Sequence, residues 1–304
     1  MKSFLLILWN FYVDTKNKIK QKILFIKDNR YVKHHKAPLV LSIGETLDKI
    51  VSENLSVSRF GDGEIKLSDN RDISFQKADP VLCEKLRTVL KSEDDGFLVC
   101  VPDVFTSTEY MTDGTSDYWK GHLSQFRKVW YSLLPSKKPY GNAFLSRCYM
   151  ILKDKSHSGQ YFDKMKKIWD GKDILLIEGE KSRLGIGNDL FSNANSVQRI
   201  LGPVSSAFDK YDELLECAKK HGTDKLILLA LGPTSSVMAY DLFKSGFRAI
   251  DIGHADIEYE WFLSGATSKT PVKNKFVNEA GAGKGVGNLY DEEYIKQIIE
   301  KVIL

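Results

Sequence analysis

Asp62 and Glu64, in the stretch Arg59-Phe60-Gly61-Asp62-Gly63-Glu64, are the residues of this chain best suited to hold a divalent cation. Both are hard oxygen donors. Beside a diphosphate, such a pair helps to complete the oxygen-rich sphere that Mg²⁺ or Mn²⁺ prefers. Gly61 and Gly63 permit a tight loop and a close approach of backbone to ligand. A solvated Asp-Gly turn would use the same residues without a metal.

A second group follows Glu178-Gly179-Glu180: Lys181, Ser182, Arg183, Gly185, Gly187 and Asn188. It combines cations with small residues and open backbone amides, which suits a diphosphate, Arg183 being able to bind phosphate in a bidentate way. A third, Gly232-Pro233-Thr234-Ser235-Ser236, leads into a helix whose N-terminus, capped by Thr234 or Ser235, is a second candidate anion site or an ordinary helix start without a ligand. His254 and Glu258 are candidates for the acceptor site or the general base. If residues 255–262 are helical, Asp256 and Glu260 share a face and Glu258 points away. Tyr110, Tyr118 and Trp119 offer aromatic faces for a sugar ring, or anchors for their own loop.

These groups need elements to deliver them. Residues 55–60, Phe97–Val101, Asp173–Ile177, Lys225–Leu231 and Arg248–Ile252 are apolar runs of buried-strand type. Helical patterns fall at Gly44–Ser52, Val81–Leu90, Leu123–Leu134, Tyr161–Trp169, Val237–Lys244 and Asp291–Val302, and residues 103–121 read as a long loop. Strands alternating with helices predict an α/β fold: a Rossmann-like, mostly parallel sheet with helices on both faces. Ligands of such sheets bind beyond the carboxyl ends of the strands, where the DxE loop falls. The glycine-rich segment Gly281-Ala282-Gly283-Lys284-Gly285-Val286-Gly287 fits neither dinucleotide nor P-loop spacing and reads as a flap or a flexible connection.

Three blocks in order resemble the GT-D glycosyltransferases, which carry a DxE metal motif at such a strand end: Arg59 to Glu64, Glu178 to Phe191, and Asp251 to Trp261. The resemblance spans roughly residues 40–290. It implies a metal-dependent transfer of a sugar, glucose or a close relative, from a uridine diphosphate sugar with inversion at the anomeric carbon. Asp62 and Glu64 would then hold Mn²⁺ or Mg²⁺. Arg59, Glu180, Ser182, Arg183, Asn188 and Thr234 would bind substrate, and His254 or Glu258 would serve the acceptor. A different Rossmann-like nucleotide-dependent transferase and a non-catalytic membrane-surface scaffold of polysaccharide assembly are the alternatives.

The 304 residues, 42% hydrophobic, suffice for a large core. Residues 1–38 read as a basic amphipathic segment and 39–304 as the glycosyltransferase-like domain. Residues 1–36 hold nine Lys or Arg against Asp14 and Asp28, a surplus of seven, so a total of +4 leaves the remainder at −3. That mildly acidic body argues against a nucleic-acid partner. The apolar run at residues 3–13 lacks a small-residue cleavage site and is shorter than the ~20 residues that span a bilayer. With the lysines after it, it reads as an interfacial helix at an anionic membrane or a helix packed on protein. Cys83, Cys100, Cys148 and Cys217 have no metal spacing and read as reduced core thiols of a cytoplasmic protein, peripheral at the inner membrane face if the segment binds lipid.

Overall fold

The computed structural model describes the backbone of residues 2–134, 138–281 and 286–303, with their side chains except those of 2–14, 17 and 18. The expected apolar run at 3–13 and the centre of the glycine-rich segment, 282–285, therefore lie outside the described side chains. Eight strands form one sheet: β1 Ser56–Arg59, β2 Phe97–Val101, β3 Gly141–Asn142, β4 Asp173–Gly179, β5 Ser196–Gly202, β6 Leu226–Ala230, β7 Ala249–Asp251 and β8 Ile298–Lys301. Their order is β3-β2-β1-β7-β6-β4-β5-β8, and every pairing is parallel. The fully buried aliphatic runs of β2, β4 and β6 are what a sheet covered on both faces requires.

Ten α-helices accompany the strands among the described residues: α1 Lys2–Val32, α2 Ile43–Ser52, α3 Asp62–Ser68, α4 Pro80–Leu90, α5 Asp113–Leu133, α6 Ser158–Lys166, α7 Tyr211–His221, α8 Pro233–Lys244, α9 Ala255–Leu263 and α10 Glu292–Gln297. One group, α3, α4, α7 and α8, packs together, and α2, α6 and α9 pack as another. The chain leaves β1 into α3 of the first group and leaves the adjacent β7 into α9 of the second. A crevice therefore opens between the carboxyl ends of β1 and β7, the topological switch point at which open α/β sheets bind ligands.

Several local expectations change. The DxE pair is not in a loop: it forms the first turn of α3, where two acids meet the positive end of the helix. Residues 113–121, expected as loop, are the start of α5, because burying Trp119, His122, Phe126 and Trp130 along one face outweighs the loop-like composition of Asp113 to Ser116. The expected helix at 291–302 stops at Gln297, and Ile298–Lys301 joins the sheet edge beside β5. The four cysteines are free and buried.

At the start of α2, Ser42 and Glu45 form a reciprocal cap: the Glu45 amide donates to Ser42 Oγ at 3.2 Å and the Ser42 amide to Glu45 Oε2 at 2.9 Å. Ser42→Ala should cost about 1 kcal/mol in denaturant unfolding and leave the slope of the transition unchanged.

Candidate active site

The β1 and β7 ends are joined by a buried ion pair. Arg59 Nη2 lies 2.9 Å from Asp251 Oδ1, and Arg59 Nε donates to the Asp251 carbonyl at 3.0 Å. Burial raises the Asp251 carboxyl above its usual range although Arg59 opposes the shift. The guanidinium lies directly over Gly253, which has a left-handed backbone of φ 42°. Only glycine provides both the conformation and the space.

Beyond this pair opens a cavity of about 980 Å³, bounded by the β1 end, residues 72–76, Tyr118 and Trp119 of α5, Gly179 and Ser182 after β4, Gly232 and Pro233 before α8, and His254 after β7. Asp62 faces it and is held by Lys66 Nζ at 2.7 Å and by the hydroxyl of Tyr118. Burial works against the Asp62 charge, but Lys66 and Tyr118 more than offset it and its carboxyl lies below the usual range. Glu64 Oε2 accepts the Gly61 amide at 2.7 Å. Burial, with the charges of Asp251 and Asp62 adding to it, pushes Glu64 up to about 7.

Also on the wall, Arg147 pairs with Glu279 at 2.8 Å, and Lys269 reaches the same carboxylate at 2.9 Å. These cations overcome burial and hold Glu279 well below the usual carboxylate range. One Arg147 nitrogen lies 3.1 Å from both ring nitrogens of His254, which is packing along the ring and not a single directed bond. Burial, then the Arg147 charge, takes His254 down to about 3, so the imidazole is neutral at neutral pH.

Of the site residues read from sequence, Arg59, Asp62, Glu64, Ser182 and His254 line this one cavity. The others serve elsewhere or stand back from the wall. Arg183, with a left-handed backbone, is buried and donates at 2.6 Å to the carbonyls of Asn274 and Gly287, so it straps down the C-terminal segment and has no free fork for phosphate. Asn188 donates to Asp256 at 2.8 Å and Glu260 at 2.7 Å. The same two carboxylates, on one face of α9 as their spacing requires, bind buried Lys275. Glu258 points away: its Oε2 accepts the amides of Tyr149 at 3.1 Å and Met150 at 2.8 Å, fixing the segment next to Arg147. Thr234 is buried in the first turn of α8 with its hydroxyl unpartnered, and Glu180 follows β4; neither lines the cavity. Tyr110 donates to the Asp103 carbonyl at 2.6 Å and is likewise outside it, whereas Tyr118 and Trp119 are on the wall.

Arg147 and Lys269 are site residues that sequence reasoning missed. They come from irregular segments with no periodic pattern, and Ser-Arg-Cys and Ser-Lys-Thr carry no local signal.

The fit of a cation can be judged from the donors. Among the described residues, the one trio of protein ligands with atoms within 4.8 Å of each other is Cys217, His221 and Glu300, which is not on the cavity. No His, Cys, Asp or Glu among the described residues completes such a trio with Asp62 and Glu64, so an ion there would draw on phosphate oxygens and water, as Mg²⁺ and Mn²⁺ readily do. Asp62 and Asp251 are paired with Lys66 and Arg59, but Glu64, raised by burial and by those two carboxylates, has no cation on it among the described ion pairs, and in that respect the residues fit.

The upward shift also has a thermodynamic sign. The folded chain keeps the Glu64 proton between its ordinary 4.5 and about 7 while the unfolded chain releases it. Its contribution is full below the unfolded value and is lost as pH rises through the folded one. Without added metal, Glu64→Gln should therefore flatten the fall in stability between those pH values, measured as the difference in denaturant midpoint between variant and wild type.

A family model described as Glycosyltransferase GT-D fold matches residues 57–280. The chain is 40% identical over 261 residues to a protein named probable glycosyl transferase Gly of Streptococcus gordonii, covering 86% of this chain and 38% of that one. It is 38% identical over 265 residues to glycosyltransferase GlyD of Streptococcus pneumoniae serotype 4, covering 87% and 32%. The chain thus spans about a third of the length of these curated relatives. A solved structure described as a new glycosyltransferase from Streptococcus sanguinis superposes with a TM-score of 0.85 at 40% identity, over 88% of this chain and 100% of that one.

Proposed function

Because this chain belongs to the GT-D family of glycosyltransferases, we propose that it moves a glucose-like sugar from a uridine diphosphate sugar to a saccharide or glycoconjugate hydroxyl, with metal dependence and inversion. The observation that carries this reading is that one cavity, at the β1/β7 switch point, gathers the DxE pair, Arg59, Arg147 and His254. A divalent cation on Asp62 and Glu64 would neutralise charge on the departing diphosphate.

The chain's own residues do the rest. Arg147 and Lys269 supply positive charge at the wall, and Arg59 keeps Gly253 and the β7 end in register with β1. Tyr118, the exposed aromatic on the wall, would pack on a pyranose, with Trp119 buried against it. In the transfer, the acceptor oxygen forms a bond to the anomeric carbon. The bond from that carbon to the diphosphate breaks, its electron pair staying on the diphosphate. The acceptor proton goes to His254, our assignment of the base, which is already neutral. Burial is the main reason that His254 is a weak base, and engaging Arg147 with the diphosphate would relieve the smaller part that the Arg147 charge adds.

The test is turnover of a panel of nucleotide sugars by the full chain, with Mn²⁺ and with chelator. Metal-dependent consumption of one uridine diphosphate sugar, releasing uridine diphosphate, is the expected result. Equal turnover in chelator would reject the metal-dependent mechanism.

A further inference from the structure

The helix α1 carries two different faces. Toward the domain it docks on α5: Asp28 pairs with Arg127 Nε at 2.7 Å, largely buried, and the Tyr31 ring packs against Tyr131 with centroids 5.8 Å apart. Away from the domain it exposes Ile19, Ile23 and Ile26, which are 55%, 47% and 55% accessible. Their i, i+4, i+7 spacing makes one continuous apolar stripe. Lys16, Lys20, Lys22 and Lys27 are exposed around it. Asp28 is the one acid between residues 15 and 32, and it is turned inward on Arg127.

We propose that this outer face of α1 docks the protein on an anionic bilayer, with the helix lying in the headgroup layer, isoleucines toward the acyl chains and lysines at the lipid phosphates. The charge pattern selects this occupant. A second copy placed on the same stripe would bring lysines against lysines, whereas an anionic lipid surface complements them. An apolar stripe rimmed by lysines is the arrangement of helices that lie in the interface. No helix among the described residues is long and apolar enough to cross a membrane, so the contact is with the surface. This inference stands apart from the sugar-transfer reading, because lipid binding is measured without substrate.

The experiment is flotation of the full chain with vesicles of phosphatidylcholine and of mixed phosphatidylcholine and phosphatidylglycerol, at low and high salt. The wild type should float with the mixed vesicles, and less with neutral ones or in high salt. Combined Ile19→Ser, Ile23→Ser and Ile26→Ser should lower partitioning roughly tenfold or more while leaving thermal unfolding unchanged, since these side chains are exposed. Wild type that stays with the protein-only fraction, or a triple variant that floats like wild type, overturns the proposal. A wild-type dimer that the triple variant dissociates, with no binding to either vesicle, overturns it in favour of a second copy.

Discussion

Asp62→Asn combined with Glu64→Gln should lower donor turnover by about 10³-fold or more and abolish its response to Mn²⁺, while the protein remains folded. The two halves of this expectation come from the same geometry. On the proposed reading the pair would hold an ion against a diphosphate, since no His, Cys, Asp or Glu among the described residues completes a close trio with it. In stability terms it is a liability: Glu64 is pushed up to about 7 by burial and by Asp251 and Asp62, and removing its charge relieves that repulsion. Asp62→Asn weakens a half-exposed contact with Lys66, which is a small loss. Lost turnover with equal or higher stability above pH 7 is the signature of residues placed for function. Unfolding of the double variant would instead assign the pair a structural role.

The largest stability effect falls on Gly253→Ala. A methyl there would meet Arg59 Nη2 at 1.7 Å and its Cζ at 2.6 Å, on a backbone already at φ 42°. Arg59 has to swing away. That leaves Asp251, 3% exposed at its side chain, as an unpaired buried carboxylate. Breaking such a pair costs about 3–5 kcal/mol, and the left-handed backbone adds about 1 kcal/mol for a residue with a Cβ. Gly246→Ala is the control, because its φ of 87° carries a similar strain but nothing lies within 4 Å of an added methyl. Denaturant unfolding should show the first variant several kcal/mol less stable and the second about 1 kcal/mol less stable. Equal losses would mean that Arg59 relaxes freely and that its bond to Asp251 does not join the two strand ends.

Much of the framework is legible in the chain itself. The uninterrupted aliphatic runs of β2, β4 and β6 announce a sheet buried on both faces, and Gly61-Asp62-Gly63-Glu64 announces a site at the end of one of its strands. The strand β5 is harder to read, because Gln198 and Arg199 interrupt it. Arg199 is buried against Glu178 on β4 and Gln297 of α10, pairings that exist after folding and not along the sequence. The first turn of α5 is built from residues that favour loops, and its helical state is decided by the aromatic face that follows.

The site divides along the same line. What the strand ends deliver, Arg59, Asp62, Glu64 and His254, could be named in advance. Arg183 and Asn188 have the chemistry of phosphate ligands, yet both are consumed as struts, one on the carbonyls of Asn274 and Gly287 and the other on Asp256 and Glu260. Whether a polar side chain faces a ligand or braces a loop depends on what the fold places opposite it. Arg147 and Lys269 show the converse: they reach the cavity wall from segments without any repeat, and meet only at Glu279.

The central claim is that Asp62 and Glu64 make this crevice a metal-dependent diphosphate-sugar site. Calorimetric titration of uridine diphosphate glucose into the full chain, with Mn²⁺ and then with chelator, tests it most directly. The account predicts binding that requires Mn²⁺ and disappears in Asp62→Asn/Glu64→Gln. Binding of equal strength in chelator, or in the double variant with Mn²⁺, would contradict it.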